Sequence, residues 1–174
     1  HDALPIYGDW IQEGTAFNSG PGIESLGYIG KRHATSLNYN KEPATGTLTS
    51  PPFTLERNSI HFLLGAREID FLSGAISNPE EFSIQLIVDN EVVRSTTPDE
   101  FHAMFHYGWD VSGFRGNTAR IRIVDMIDKE NVFIDVDHIV QNNIPVDGIE
   151  TERSFQITGS QLNLPVKHGS KRYY

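Results

Sequence analysis

The sequence predicts an all-β chain folded as an antiparallel β-sandwich. Three observations predict it. Glycine (15) and proline (9) recur along the 174 residues, and no long stretch keeps the 3.6-residue period of a helix. Short runs alternate apolar and polar residues at strand length instead. Between two of these runs stands Asp89-Asn90, a residue pair suited to a tight hairpin turn.

Taken in order, Gly46-Thr47-Leu48-Thr49-Ser50 leads into Phe53-Thr54-Leu55. Ser59-Ile60-His61-Phe62-Leu63-Leu64-Gly65 has the length of a buried strand, and Phe82-Ser83-Ile84-Gln85-Leu86-Ile87-Val88 alternates without a break. After Asp89-Asn90, Glu91 to Thr96 returns as the partner strand of a hairpin. Thr118 to Asp125 alternates again with Arg120 and Arg122 facing out, and Val132 to Val140 closes the series. Residues of opposite parity, such as His61 and Leu63 against Ile60 and Phe62, or Ser83 and Gln85 against Phe82 and Ile84, belong on opposite faces. One short helical turn is predicted around Pro79-Glu80-Glu81. The polar stretch Asn142-Asn143-Ile144-Pro145 places a domain boundary near residue 143. The sandwich is then residues 1–143. Residues 144–174 read as a linker and the first strands of a further β-rich module, at Ser154 to Ile157 and Gln161 to Val166.

Composition narrows the function. Fourteen Lys and Arg against 23 Asp and Glu leave a formal charge of −9, which repels a polyanion, so no nucleic-acid partner is expected. The basic run from Lys167 to Arg172 reads as a solvated stretch at the chain's end. No apolar run approaches the roughly 18 residues of a membrane helix, and no membrane partner is expected. With no cysteine there are no disulfides, zinc–thiolate sites or cysteine nucleophiles. The sequence begins at His1 and reads as a piece of a longer protein.

The order of short segments carries a resemblance. Gly8-Asp9-Trp10, Gly14-Thr15-Ala16-Phe17, Gly20-Pro21, Gly46-Thr47-Leu48-Thr49-Ser50-Pro51 and Phe62-Leu63-Leu64-Gly65 come first. Leu86-Ile87-Val88-Asp89, Val93-Arg94, Trp109-Asp110-Val111, Ala119 to Asp125 and Val136-Asp137-His138-Ile139 follow. Over roughly residues 8 to 140 this series resembles the accessory β-sandwich modules of secreted fructan-degrading enzymes of glycoside hydrolase family 32, the levanase and inulinase group. The resemblance implies a jelly-roll, galactose-binding-like sandwich in a secreted, periplasmic or cell-surface protein, beside a catalytic domain of the same chain. Two departures stand out. Ala66-Arg67 replaces a glycine-rich turn, and Asn131-Val132-Phe133-Ile134 replaces Gly-Trp-Gly-His-Ile, so a sugar site lined by those positions in relatives is altered here.

The family's catalytic triplets Asn-Asp-Pro, Arg-Asp-Pro and Glu-Cys do not occur in this sequence. Retaining hydrolysis needs two carboxyls roughly 5–5.5 Å apart, and no such signature is present. The sequence therefore predicts a non-catalytic carbohydrate-recognition module acting on fructan. The alternative is a structural spacer that packs against the catalytic domain and binds no sugar.

Sugar recognition combines an aromatic face with a few planar polar groups that read hydroxyls. Arg67 and Asp70, after the buried strand, are the first such groups, although charged loop residues are exposed by default. Arg94 matches an arginine of the family, and its partner is a ligand hydroxyl or a buried carboxylate such as Asp125. Trp109 reads as a core anchor followed by a capped turn at Asp110-Val111. His102, His106 and Tyr107 read as loop residues, with His106 and Tyr107 placed as ligand contacts. Asp125, Asp128, Glu130, Asp135 and Asp137 form an acidic stretch, in which Asp135 and Asp137 share one face of a strand. No cofactor is expected beyond a structural calcium ion at Asp125 and Asp137, and Asp137-His138 equally suits a pair that satisfies a neighbouring loop.

Overall fold

The computed structural model describes residues 7–23, 25–38, 44–67, 78–98, 103–130 and 132–146. Among them no α-helix occurs, and two sheets stack face to face. The strands are β1 (Ile11–Gly14), β2 (Ala34–Thr35), β3 (Gly46–Thr49), β4 (Phe53–Thr54), β5 (Ser59–Arg67) and β6 (Phe82–Val88). Then come β7 (Glu91–Thr96), β8 (Phe105–Asp110), β9 (Thr118–Asp125) and β10 (Phe133–Asn142), with one 3₁₀ turn at Ser112–Phe114. The first sheet runs β1-β3-β9-β6-β7, with β4 added beside β9, and the second runs β2-β10-β5-β8. Each of these strand pairings is antiparallel.

Alternation decides what lies between the sheets. From the first come Leu48, Ile84, Leu86, Ile121 and Ile123; from the second come Ile60, Phe62, Leu64, Ile134 and Val136. Each such side chain, fully buried, contributes about 1.5–3 kcal/mol relative to exposure. The odd-numbered partners of these residues, His61, Leu63, Ser83 and Gln85 among them, lie on the outer faces as alternation requires. Gln85 is nonetheless buried there, because Arg122 lays its guanidinium on Oε1 (2.9 and 2.7 Å).

The β6–β7 hairpin turns at Asp89 and Asn90, whose φ values of 52° and 66° suit a two-residue primed turn. Where β1 crosses β3, Gly14 faces Gly46, and a Cβ on Gly46 would stand 2.3 Å from the Glu13 carbonyl oxygen. Only glycine permits that approach.

Several expectations are corrected. The residues around Pro79 form a turn closed by Asn78, whose carbonyl accepts from the N–H groups of Glu81 (3.0 Å) and Phe82 (3.1 Å), so there is no helix. Strand β5 continues to Arg67 instead of ending at Gly65, because Phe133 of β10 pairs with Arg67. His106 and Tyr107 belong to strand β8, paired along β5, and not to a loop. Residues 143–146, at the expected boundary, lie against the second sheet, where the Ser59 hydroxyl donates to the Ile144 carbonyl (2.7 Å), and this leaves the boundary itself open to test. The two strands expected beyond residue 150 lie outside the described residues.

Candidate functional site

The edge where β1 and β2 lie holds a pocket of about 390 Å³. Its floor is apolar and drawn from both sheets, with Leu48 and Ile123 from the first and Ala34 and Val136 from the second. Two aromatic side chains, Tyr7 and Trp10, stand at its wall just before β1. The Tyr7 hydroxyl donates to the Thr35 carbonyl (3.1 Å), and its ring meets Phe17 edge-on at 6.2 Å. Both aromatics pack on the margin of the core without being submerged in it. The polar lining comes from Arg32, His33, Asp137 and His138.

Two carboxylates of β10 fasten the β1–β2 connection over the outer face of the second sheet. Asp135 accepts from the Ser25 hydroxyl, and its Oδ1 faces His33 Nε2 at 3.3 Å without the alignment of a hydrogen bond. Asp137 Oδ2 accepts from the Ile29 N–H at 2.6 Å. Both acids are thus on one face, as alternation implied, and Asp137 satisfies a neighbouring loop. Arg32 is exposed, and Nη1 donates to the Pro21 carbonyl (3.0 Å), which sets the guanidinium at the pocket's rim.

A bulge in β10 completes the lining. Asp137 pairs with Leu63, but Val140, not Ile139, pairs with His61, so β10 carries an extra residue there. His138 takes φ of 49° at that point. Three successive residues, Asp137, His138 and Ile139, therefore reach the same pocket, which a flat strand cannot arrange.

Arg94, His106 and Tyr107, singled out from sequence, are not part of this pocket's lining. Arg67 ends β5, and Asp70 lies outside the described residues. Arg94 sits on β7 at the edge opposite the pocket, where Nε donates to the Asp110 carbonyl (3.1 Å) and Nη1 to the Val93 carbonyl (2.8 Å). Its guanidinium lies 5.1 Å from the centre of the Phe114 ring. Asp125, one of the two alternative partners read for it from sequence, is not among these contacts. Tyr107 packs its ring along Phe62, with centroids 6.1 Å apart. His106 stacks on His61 on the outer face, and burial together with the neighbouring His61 and His138 holds its pKa below the ordinary histidine value. Trp109 is buried against Phe62 and donates from Nε1 to the Thr96 hydroxyl (2.8 Å), the anchor expected of it. The Asp110 carboxylate accepts from the Ser112 N–H (2.8 Å) at the start of the 3₁₀ turn, and bonds from Ser112 pull its pKa down.

Asp125 and Asp137 are engaged apart from each other. Asp125 accepts from the Ser36 hydroxyl (2.5 Å) and the Ile127 N–H (3.1 Å), and its burial pushes the carboxyl up to about 7. Among the described residues no group of three or more His, Asp or Glu side chains could hold a metal ion. Sequence reasoning missed Tyr7 and Arg32 as site residues and noted Trp10 only within the family-like series. One of only two tryptophans, placed next to Gly8-Asp9, was the available signal.

No family model matches the chain. Over 141 residues, 77% of its length, the chain is 27% identical to a putative glycosyl hydrolase, ecdE, of Aspergillus rugulosus. It spans only 19% of that fungal protein. Among solved structures, a family 35 carbohydrate-binding module of Clostridium thermocellum aligns with 74% of this chain and 91% of its own, at 16% identity and a TM-score of 0.35. A mutant family 29 carbohydrate-binding module aligns with 76% of this chain and 85% of its own, at 15% identity and a TM-score of 0.36. A family 35 module from an environmental isolate covers 76% and 91%, at 13% identity and a TM-score of 0.36. Among the described residues, no helix is long and apolar enough to cross a membrane.

Proposed function

We propose that this domain recognises carbohydrate without transforming it, as an accessory module of a secreted, fructan-acting glycoside hydrolase. The pocket at the β1–β2 edge carries the reading. It sets two aromatic side chains, Tyr7 and Trp10, beside a guanidinium, a carboxylate and two imidazoles over an apolar floor. An aromatic face suits the C–H surface of a sugar ring, while Arg32 and Asp137 suit adjacent hydroxyls as donor and acceptor. The pocket's lining holds one carboxylate, whereas glycoside hydrolysis of the usual kind works with two. The similarity to one segment of a much longer putative glycosyl hydrolase is consistent with a module that serves a catalytic domain in the same polypeptide. Tethering of that kind raises the local concentration of enzyme on its polymer. Fructan as the ligand rests on the family-like series of segments from Gly8 to Ile139.

Titration calorimetry against levan, inulin, fructose and a panel of other neutral glycans tests the reading. Binding is expected with a Kd of roughly 10⁻⁵ to 10⁻³ M, because a sugar end buries little apolar surface and its hydroxyls give up water. Trp10→Ala and Arg32→Ala should each abolish the heat while circular dichroism shows a folded chain, and Arg94→Ala, at the opposite edge, should bind normally. Loss of binding in the Arg94 variant alone would move the site away from the pocket. The absence of heat from wild type with every glycan would favour the spacer. One observation suits that second reading: Ile23, Leu26 and Ile29 stand 55%, 69% and 55% exposed along one loop, a row that a packed neighbouring domain would cover.

A further inference from the structure

The outer face of the second sheet carries two histidines with their rings stacked, His61 of β5 and His106 of β8, centroids 4.8 Å apart. His61 Nδ1 lies 2.9 Å from His106 Nε2, and His61 Nε2 lies 3.0 Å from the carbonyl oxygen of Ile144. Although it is on an outer face, His61 is only 5% exposed, and the chain at residues 144–146 lies against it. The niche is built around a missing side chain. A Cβ on Gly108 would meet His61 Nδ1 at 3.2 Å and Val146 Cγ1 at 3.3 Å, so glycine there makes room for both the imidazole and the returning chain. We propose that the His61–His106 pair is a proton-operated latch, which holds residues 144–146 to the sandwich together with Ser59 when neutral and loosens them on acidification.

The hydrogen inventory of the pair sets how it works. A carbonyl oxygen only accepts, so His61 Nε2 carries a hydrogen. In neutral His61 the other nitrogen, Nδ1, is then an acceptor, and His106 Nε2 donates to it. One added proton is tolerated, because His61 Nδ1–H then donates to the lone pair of a neutral His106. A second proton is not tolerated. Both facing nitrogens then carry hydrogen at 2.9 Å, and two cations stack ring on ring. The rings must part, and a displaced His61 leaves the Ser59 hydroxyl (2.7 Å) as the remaining side-chain donor to the Ile144 carbonyl.

The neighbours do not relieve the charge. β8 also presents Asp110, whose carboxylate is turned to the Ser112 N–H, and β10 presents Asp137, held by the Ile29 N–H, together with the further imidazole of His138. Among the described residues no carboxylate lies within ion-pair distance of His61 or His106. Burial and the two neighbouring imidazoles already hold the His106 pKa below 6.5, so release falls on the acid side of the usual histidine range.

Nuclear magnetic resonance of the full 174-residue chain, titrated from pH 7.5 to pH 4.5, tests the latch. The amide and methyl signals of Ile144 and Val146 should move with the imidazole signals of His61 and His106, while Ile84 and Ile121 in the core stay in place. His106→Leu removes the second charge and leaves His61 able to donate to Ile144. Release should then shift by about one pH unit to lower pH, or vanish. Gly108→Ala leaves both histidines but crowds the niche, and should shift the Ile144 and Val146 signals already at pH 7. The latch is overturned if the imidazoles titrate while Ile144 and Val146 stay fixed. It is equally overturned if release in His106→Leu keeps the wild-type midpoint, or if Gly108→Ala leaves the Ile144 and Val146 signals unchanged.

Discussion

Replacing Asp125 by asparagine should flatten part of the pH dependence of folding. The carboxyl is 1% exposed, and its two hydrogen bonds, from Ser36 and Ile127, favour the ionised form less than burial disfavours it. The folded-state pKa is accordingly raised from 3.8 to about 7. A raised carboxyl pKa means that the folded state holds a proton the unfolded chain gives up. Its stabilising contribution is therefore complete below pH 3.8 and is lost as pH rises through about 7. Three units correspond to about 4 kcal/mol in the limit, and integration between pH 5 and pH 8 gives a loss of about 2.5 kcal/mol. Asparagine stays neutral throughout and keeps an oxygen for the Ile127 N–H. Urea unfolding of both proteins at pH 5, 6, 7 and 8 reads the difference directly, provided the slopes agree. The stability of wild type relative to Asp125→Asn should fall by about 2.5 kcal/mol across that range. A difference that is constant to within about 0.5 kcal/mol would mean that the ionised carboxylate is tolerated at its site, and the reasoning from burial fails.

Two further substitutions probe the frame that holds the pocket. Arg94→Ala removes two bonds to carbonyl oxygens and the contact with Phe114, so thermal or urea unfolding should show a loss of about 1–2 kcal/mol with the fold retained; outright unfolding would imply a buried charge partner for Arg94. Gly46→Ala places a methyl 2.3 Å from the Glu13 carbonyl oxygen, so β1 must part from β3 at a cost of about 1–3 kcal/mol, and hydrogen exchange at Glu13 and Thr47 should quicken; unaltered exchange would contradict the close approach of the two strands.

Legibility from sequence followed locality. Strands β6, β7 and β9 match their expected ranges residue for residue, because β6 and β9 alternate in sequence and β7 follows β6 across a turn whose residues accept positive φ. Strand β1 went unread because it is an edge strand, largely exposed, with no buried side chain to set a period. Strand β2 is two residues long, and β8 interrupts its pattern with a glycine that serves His61 and Val146. The pocket was less visible still. Tyr7 and Trp10, Arg32, Leu48, Ile123 and the β10 bulge meet only after folding, and no local spacing links them. Likewise the hydroxyl partner of Asp125 is Ser36, 89 residues away, a contact that no local spacing announces.

The extra residue in β10 also sets the phase of everything after it. Upstream, Asp135 and Asp137 point outward opposite Gly65 and Leu63; downstream, Val140 and Asn142 take the outward places opposite His61 and Ser59. Gln141 is thereby left to bridge to the turn before β5, accepting from the N–H groups of Glu56 (2.9 Å) and Arg57 (3.4 Å) and donating to the Thr54 carbonyl (3.0 Å). Deleting a single residue at 138 or 139 would let β10 run flat from Asp137 to Val140, with both halves of the strand still in phase with β5. The glutamine clasp would keep its side of the sheet, and what would be lost is the bulge that brings three successive residues to the pocket. The extra residue therefore belongs to the pocket and not to the pairing of the strand's end.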